Sequence, residues 1–212
     1  MNIRANHVAG DFYDYFLDGQ GRLTLVIADV SGHGVPAAIL MAVTRTLIRN
    51  IASSGLSPAQ IVRRADAVLI QDSAADMFVT MILCQYDPGT GELTYANAGH
   101  PAPCLVRATG EIEPVGTSTA PLLGVGFYNE EDFTQATIHL AMGDTFVLYT
   151  GGVPEARSPE GSFFGMERFC DLLQGERDKP LKDACQAVID AVDRYAQGRP
   201  ADDVTVLMFR RV

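Results

Sequence analysis

Apolar residues along this chain come in three textures: short unbroken runs, stripes at three- and four-residue spacing, and paired runs around turn signals. Leu23–Ala28 (LTLVIA) is a short apolar run that ends at Asp29 and predicts a buried strand. Gly32, Gly34 and Pro36 interrupt it, and Pro36 suits the first turn of a helix. Ile39, Leu40, Val43, Leu47, Ile48 and Ile51 then recur at helical spacing, which predicts one apolar stripe. A second helix starts near Ser57-Pro58, where Ser57 and Gln60 have the spacing of a capping box. Ile61, Ala65, Val68 and Leu69 supply its core face. Phe78–Tyr86 and Leu93–Ala98 flank the turn signal DPGTGE and read as a hairpin. Pro103–Arg107 leads into the turn Ala108-Thr109-Gly110, and residues 114–133 read as loop. Thr134–Leu140 and Thr145–Tyr149 surround the turn Met142-Gly143-Asp144. Helices follow near 166–175 and 180–197, the second with the stripe Leu181, Ala184, Cys185, Val188, Ile189, Val192 and Tyr195. Val204–Phe209 is a last strand.

Hairpin connections favour antiparallel sheets, and each helix pair has one apolar face to cover a sheet. The pattern therefore predicts a layered α+β domain with two sheets and helices outside. Its 212 residues suit a single domain, 1–212.

Composition narrows the function classes. Hydrophobic residues make up 47% and charged residues 20%, enough for a real core. The net charge is −10, with 26 acids against 16 bases and no Lys/Arg run, so nucleic-acid binding and attraction to anionic membranes are not expected. The N-terminus lacks a signal-peptide apolar core, and no apolar run approaches the ~18 residues of a membrane span. Cys84, Cys104, Cys170 and Cys185 have no CxxC spacing and read as buried free thiols in a reducing compartment. A cytoplasmic protein is the expectation.

The candidate chemistry lies with the acids. Asp29 sits at the exit of one predicted strand, Asp202 and Asp203 at the entrance of another, and Asp11 and Asp14 in or beside the first, GDFYDYF. If Leu23–Ala28 and Val204–Phe209 are antiparallel neighbours, these ends share one sheet edge, with strands only ~4.8 Å apart. Converging carboxylates repel, and divalent cations relieve the repulsion. Oxygen-only ligands suit magnesium or manganese. The glycines of Ser31–Gly34 let backbone approach such ions closely.

The segments GDFYDYF (10–16), ADVSGHGVPAAILM (28–41), FVTMILCQYDPGTGELTYANAGHPAPCLV (78–106), LYTGGVPEAR (148–157) and DDVTVLMFR (202–210) stand in family order. Together they resemble the bacterial branch of the type 2C (PPM) metal-dependent protein phosphatases, the branch of sporulation stage II protein E and the RsbU-like stress regulators. The resemblance implies two antiparallel sheets packed as a sandwich flanked by helix pairs. It implies two manganese or magnesium ions, with Asp29 as bridging ligand, the Val30 carbonyl, Asp11 and Asp202 as further ligands, and Asp203 and Asp14 as accessory candidates. His33 is a candidate acid near the leaving oxygen, and a structural loop histidine is the competing reading. His100 reads as a buried turn residue; His7 and His139 carry no signal. The implied substrate is a phosphorylated regulatory protein of the anti-sigma-factor-antagonist type, and a homodimer is left open.

Two departures stand out. The family motif near 150 reads LYTDGV, and its aspartate is a metal ligand; here Gly151 occupies that place. One ion is then expected to bind weakly or not at all, unless an acid such as Glu155 substitutes. The alternative is a pseudophosphatase that binds a partner without turnover. The family also has a strand before GDFYD, and with Met1 only ten residues ahead of Asp11 that strand is expected to be missing.

Overall fold

The computed structural model describes residues 1–3, 10–72, 77–116, 118–198 and 202–212. His7 lies outside the described residues. In chain order the elements are β1 (Asn2–Ile3), β2 (Phe12–Leu17), β3 (Leu23–Val30), α1 (Val35–Ala52), α2 (Pro58–Asp72), β4 (Val79–Tyr86) and β5 (Glu92–Ala98). There follow β6 (Cys104–Val106), β7 (Ile112–Pro114), β8 (Ala136–His139), β9 (Thr145–Tyr149), α3 (Gly165–Glu176), α4 (Leu181–Tyr195) and β10 (Val204–Arg210). The chain divides into two compact units, neither continuous in sequence.

The first unit comprises Gly10–Ala102 and Gly116–Leu140. Its sheet runs β2-β3-β4-β5-β8, antiparallel throughout. Side chains alternate along β3, so Val26, Ala28 and Val30 share one face. That face forms a core with Ala37, Ile48 and Ile51 of α1 and Ile61, Ala65 and Leu69 of α2. Burying each large aliphatic side chain contributes roughly 1.5–3 kcal/mol. The sequence mis-phased α1: Ile39 and Val43 are 60% and 44% exposed, while Ala37 and Thr44 are buried in their stead. Apolar residues occur nearly all round this helix, so spacing alone does not select the buried face. The same composition makes α1 long and apolar enough to cross a membrane, although its inner face packs in the core just described. At the start of α2 the Ser57 N–H donates to Gln60 Oε1 at 3.0 Å, one half of the expected capping box.

The second unit comprises Met1–Ala9, Pro103–Val115 and Ala141–Val212. Its sheet order is β1-β10-β9-β6-β7. Val147 and Tyr149 of β9 and Val204 and Val206 of β10 pack against Phe169 and Leu173 of α3 and Cys185, Val188, Ile189 and Val192 of α4. The α4 stripe read from sequence is the buried one. All four cysteines are free thiols.

Three expectations are corrected. A strand does precede Asp11: β1 pairs Asn2 with Thr205 and Ile3 with Val204. β7 carries no strand signal in the sequence, and only its last residue, Pro114, falls in the stretch 114–133 read as loop. Elements of two or three residues are too short to show a period. Finally, β3 and β10 are not neighbours. β3 lies between β2 and β4, and β10 lies between β1 and β9, in different sheets. β10 pairs with strands distant in sequence, and local pattern does not encode strand order.

One ion-pair cluster ties β2 to α1. The Asp14 carboxylate accepts from Arg49 Nε at 2.7 Å, Arg49 Nη2 at 2.9 Å and Arg45 Nε at 3.2 Å. The Arg49 guanidinium also lies 4.9 Å from the centre of the Phe16 ring. Burial would push the Asp14 carboxyl up, but the Arg49 hydrogen bond, both arginine charges and the Tyr15 N–H outweigh it and hold it below the usual carboxylate value. A depressed folded-state pKa stabilises above the unfolded value near ~3.9 and loses that stabilisation as pH falls through the folded value. Asp14→Asn should therefore cost on the order of 1–3 kcal/mol at pH 7, the scale of charge-assisted hydrogen bonds. Urea titrations should show the gap to wild type closing as pH falls below about 4.

Candidate metal centre

The first unit brings two motif acids together by strand register. β2 pairs with β3 from Phe12↔Ala28 through Leu17↔Leu23. Continuing one step sets Asp11 across from Asp29, and one more sets Gly10 across from Val30. A Cβ placed at Gly10 would lie 3.0 Å from the Val30 carbonyl oxygen and 3.6 Å from Asp29 Oδ1, in keeping with that continuation. Directly opposed residues have Cβ atoms roughly 4.5–5.5 Å apart and project on the same face. Phe12 and Ala28 turn toward the helices, so Asp11 and Asp29 turn away from them. Asp11 is buried at 5% exposure, Asp29 is half-buried and Val30 is buried.

Like charges directly opposed across strands destabilise a sheet. An arrangement of this kind suits a cation. The donors are two carboxylates and a main-chain carbonyl, all oxygen, the set preferred by magnesium and manganese. Gly10, which sequence reasoning missed as a site residue, leaves the space beside those oxygens that a side chain would fill. Its only signal was its place immediately before Asp11.

Asp14 is on the other face of β2 and is engaged by Arg45 and Arg49. The loop between β3 and α1 carries the remaining first-unit candidates. Gly32 and Gly34 adopt φ of 91° and 77°, a region that favours glycine. Ser31 is a turn anchor: its Oγ accepts from Phe78 N at 2.8 Å and its N–H donates to Phe78 O at 2.9 Å. His33 is exposed on this loop. His100 is buried, as expected of a turn residue; its Nδ1 lies 2.9 Å from Thr80 Oγ1, and Asn97 bonds its backbone on both sides.

The second unit holds the other motif acids. Asp202 is exposed and Asp203 is buried immediately before β10. Asp202 Oδ1 accepts from Asp203 N at 2.8 Å. Desolvation by the surrounding protein, and then the Asp203 charge, raise the Asp202 carboxyl above its ordinary value despite that hydrogen bond. The loop after β9 packs on this segment. Thr205 N donates to Thr150 Oγ1 at 3.0 Å and Thr150 N donates to Thr205 O at 3.1 Å. A Cβ at Gly152 would fall 2.0 Å from Asp203 O, so backbone contact itself requires glycine there. Gly151 is different. The nearest atoms a Cβ there would meet are those of the Glu155 carboxylate, with Oε1 at 3.5 Å and Oε2 at 3.8 Å, which is ordinary contact. Packing does not forbid a side chain at 151, and the Glu155 carboxylate already stands beside the gap. Among the described residues, no group of three or more His, Cys, Asp or Glu side chains forms a ready ligand cluster.

Residues 19–212 match the family described as Stage II sporulation protein E (SpoIIE). The phosphoserine phosphatase RsbU of Bacillus subtilis is 26% identical over 215 residues, spanning 100% of this chain and 62% of that protein. The chain thus spans under two thirds of that relative's length. Among solved structures, the RsbU and RsbW domains of Rv1364c from Mycobacterium tuberculosis superpose with a TM-score of 0.83 at 32% identity, covering 97% of this chain and 56% of that one. The SiaA-PP2C domain of Pseudomonas aeruginosa superposes with a TM-score of 0.85 at 26% identity, covering 99% and 85%.

The contrast between the two adjacent glycines is testable. Gly152→Ala should lower unfolding free energy by about 1–3 kcal/mol, the usual range for an over-packed site. Gly151→Ala should stay within about 0.5 kcal/mol of wild type, as for surface substitutions. Chemical denaturation of the two variants side by side measures both.

Proposed function

Because this chain belongs to the Stage II sporulation protein E (SpoIIE) family, we propose that it is a metal-dependent protein phosphatase acting on phosphoserine or phosphothreonine of a regulatory protein. The observation that carries the reading is the opposed pair Asp11 and Asp29 beside the Val30 carbonyl, with space kept open by Gly10. In this reading Asp29, Asp11 and the Val30 carbonyl hold manganese or magnesium, and the family resemblance adds Asp202 as a ligand candidate and Asp203 as an accessory one. When bound, divalent cations of this kind lower the pKa of water and offset charge that builds on a phosphoryl group.

The chain's own residues have defined tasks in this proposal. Asp29 and Asp11 fix the cation positions from adjacent strands. The Ser31–Gly34 loop, pinned by Ser31 to Phe78, sets where His33 is presented. His33, exposed on that loop, donates a proton to the departing serine oxygen. Glu155 supplies the carboxylate that residue 151 lacks, from 3.5 Å beyond the place of its missing Cβ.

The substrate in this reading is an anti-sigma-factor antagonist in its phosphorylated form, acted on in the cytoplasm. Loss of phosphate removes roughly −2 of charge from its surface, enough to change which partner it binds. RsbU, named a phosphoserine phosphatase, supports the chemistry, and a solved relative carrying RsbU and RsbW domains supports the signalling setting.

Gly151 favours a second reading, a domain that binds a phosphoprotein without turning it over. Hydrolysis of a phosphoserine peptide with manganese separates the two. The phosphatase reading predicts metal-dependent turnover that falls on the order of 10²-fold or more in Asp29→Ala, the scale of losing a transition-state charge partner. It also predicts that Gly151→Asp lowers the manganese concentration needed for half-maximal rate. Turnover appearing only in Gly151→Asp would support the binding-module reading, and none in either protein would sink the phosphatase proposal.

A further inference from the structure

The second unit contains a cavity of about 250 Å³ lined by Arg107, Arg177 and Arg210 together with Thr145 and Asp178. Three guanidinium groups on one cavity stand out in a chain whose net charge is −10. They are not equivalent. Arg107 is neutralised: its Nε and Nη2 donate to Glu113 at 3.1 and 3.0 Å, and its Nη1 donates to Asp144 at 2.9 Å. Arg210 donates only to neutral acceptors, Thr145 Oγ1 at 2.8 Å, Lys179 O at 3.2 Å and Arg177 O at 2.6 Å. Those carbonyls follow α3, and a helix C-terminus offers about half a negative charge at most. Arg177 faces Asp178 at 3.4 Å, but that carboxylate is 85% exposed and such a pair contributes little. Lys179 is taken up by Glu176 at 2.9 Å. Two guanidinium charges thus line the cavity without a buried counter-ion, and Arg210 keeps two N–H groups beyond those bonds.

We propose that this cavity binds a small phosphorylated molecule, a phosphate monoester or diphosphate, through Arg177 and Arg210. Guanidinium forks match phosphate oxygens in geometry and charge. The volume lies just under the ~300 Å³ at which pockets for drug-sized ligands begin, so the ligand is small. The site does not depend on the phosphatase proposal. Arg210 ends β10, whereas Asp203 immediately precedes it. Seven residue steps at ~3.3 Å place those two positions at opposite ends of the strand, roughly 23 Å apart.

The probe is pyrophosphate, titrated calorimetrically into the whole protein with EDTA present so that no metal site competes. Saturable binding is expected, weakening as NaCl is raised. Arg177→Gln and Arg210→Gln should each weaken it about tenfold or more, the scale of losing a charge-assisted hydrogen bond, while Asp29→Ala leaves it unchanged. Arg210 also bonds the end of α3, so the exposed Arg177 variant, checked for an unaltered melting temperature, carries the test. No saturable binding, or equal binding by wild type and Arg177→Gln, would overturn the proposal. So would a phosphoserine peptide that binds where free pyrophosphate does not, since the ligand would then not be a small molecule.

Discussion

Two carboxylates held opposite one another across a pair of strands are the constraint on which the functional reading rests. The β2–β3 register makes Asp11 and Asp29 neighbours on the face turned away from the helices. Such a pair is unfavourable without compensation, because like charges at this spacing raise each other's cost of ionisation. A divalent cation turns that cost into a gain, since the ion is then the largest local charge and the acids its ligands. Gly10 fits this logic by leaving the Val30 carbonyl and the Asp29 carboxylate approachable from one side.

The rest of the first unit keeps that register fixed. A one-residue slip of β2 would turn Asp11 toward the apolar core and away from Asp29. Phe12 in the core prevents it from one face, and Asp14, clamped by Arg45 and Arg49, prevents it through α1. The second unit uses backbone rather than charge for the same purpose. The close approach of Gly152 to Asp203 and the paired Thr150–Thr205 bonds fix the β9 exit against the β10 entrance. Of the two adjacent glycines there, Gly151 has room for a side chain and Gly152 does not, and the Glu155 carboxylate is the group beside Gly151.

Much of the fold was legible because most elements carry a clean period. The α4 stripe and the β4–β5 hairpin are where spacing and turn chemistry set them. What escaped did so for physical reasons. α1 is apolar on too many sides for its phase to be read, and Ile39 and Val43, on the stripe that spacing predicts, are exposed. β1 and β7 are too short to show alternation. Strand order is a long-range property, which is why the expected pairing of β3 with β10 does not occur. At the site, five ordered motifs made the acids and the Gly151 departure visible. The opposition of Asp11 and Asp29, and the role of Gly10 between them, needed the register.

The central claim is that the Asp11–Asp29 pair is a cation site. The most direct measurement is an anomalous-scattering map from crystals soaked in manganese. A peak is predicted within coordination distance of an Asp29 carboxylate oxygen and the Val30 carbonyl oxygen, on the side that Gly10 leaves open. A map with manganese bound elsewhere, or with no peak at those two oxygens under saturating manganese, would contradict it.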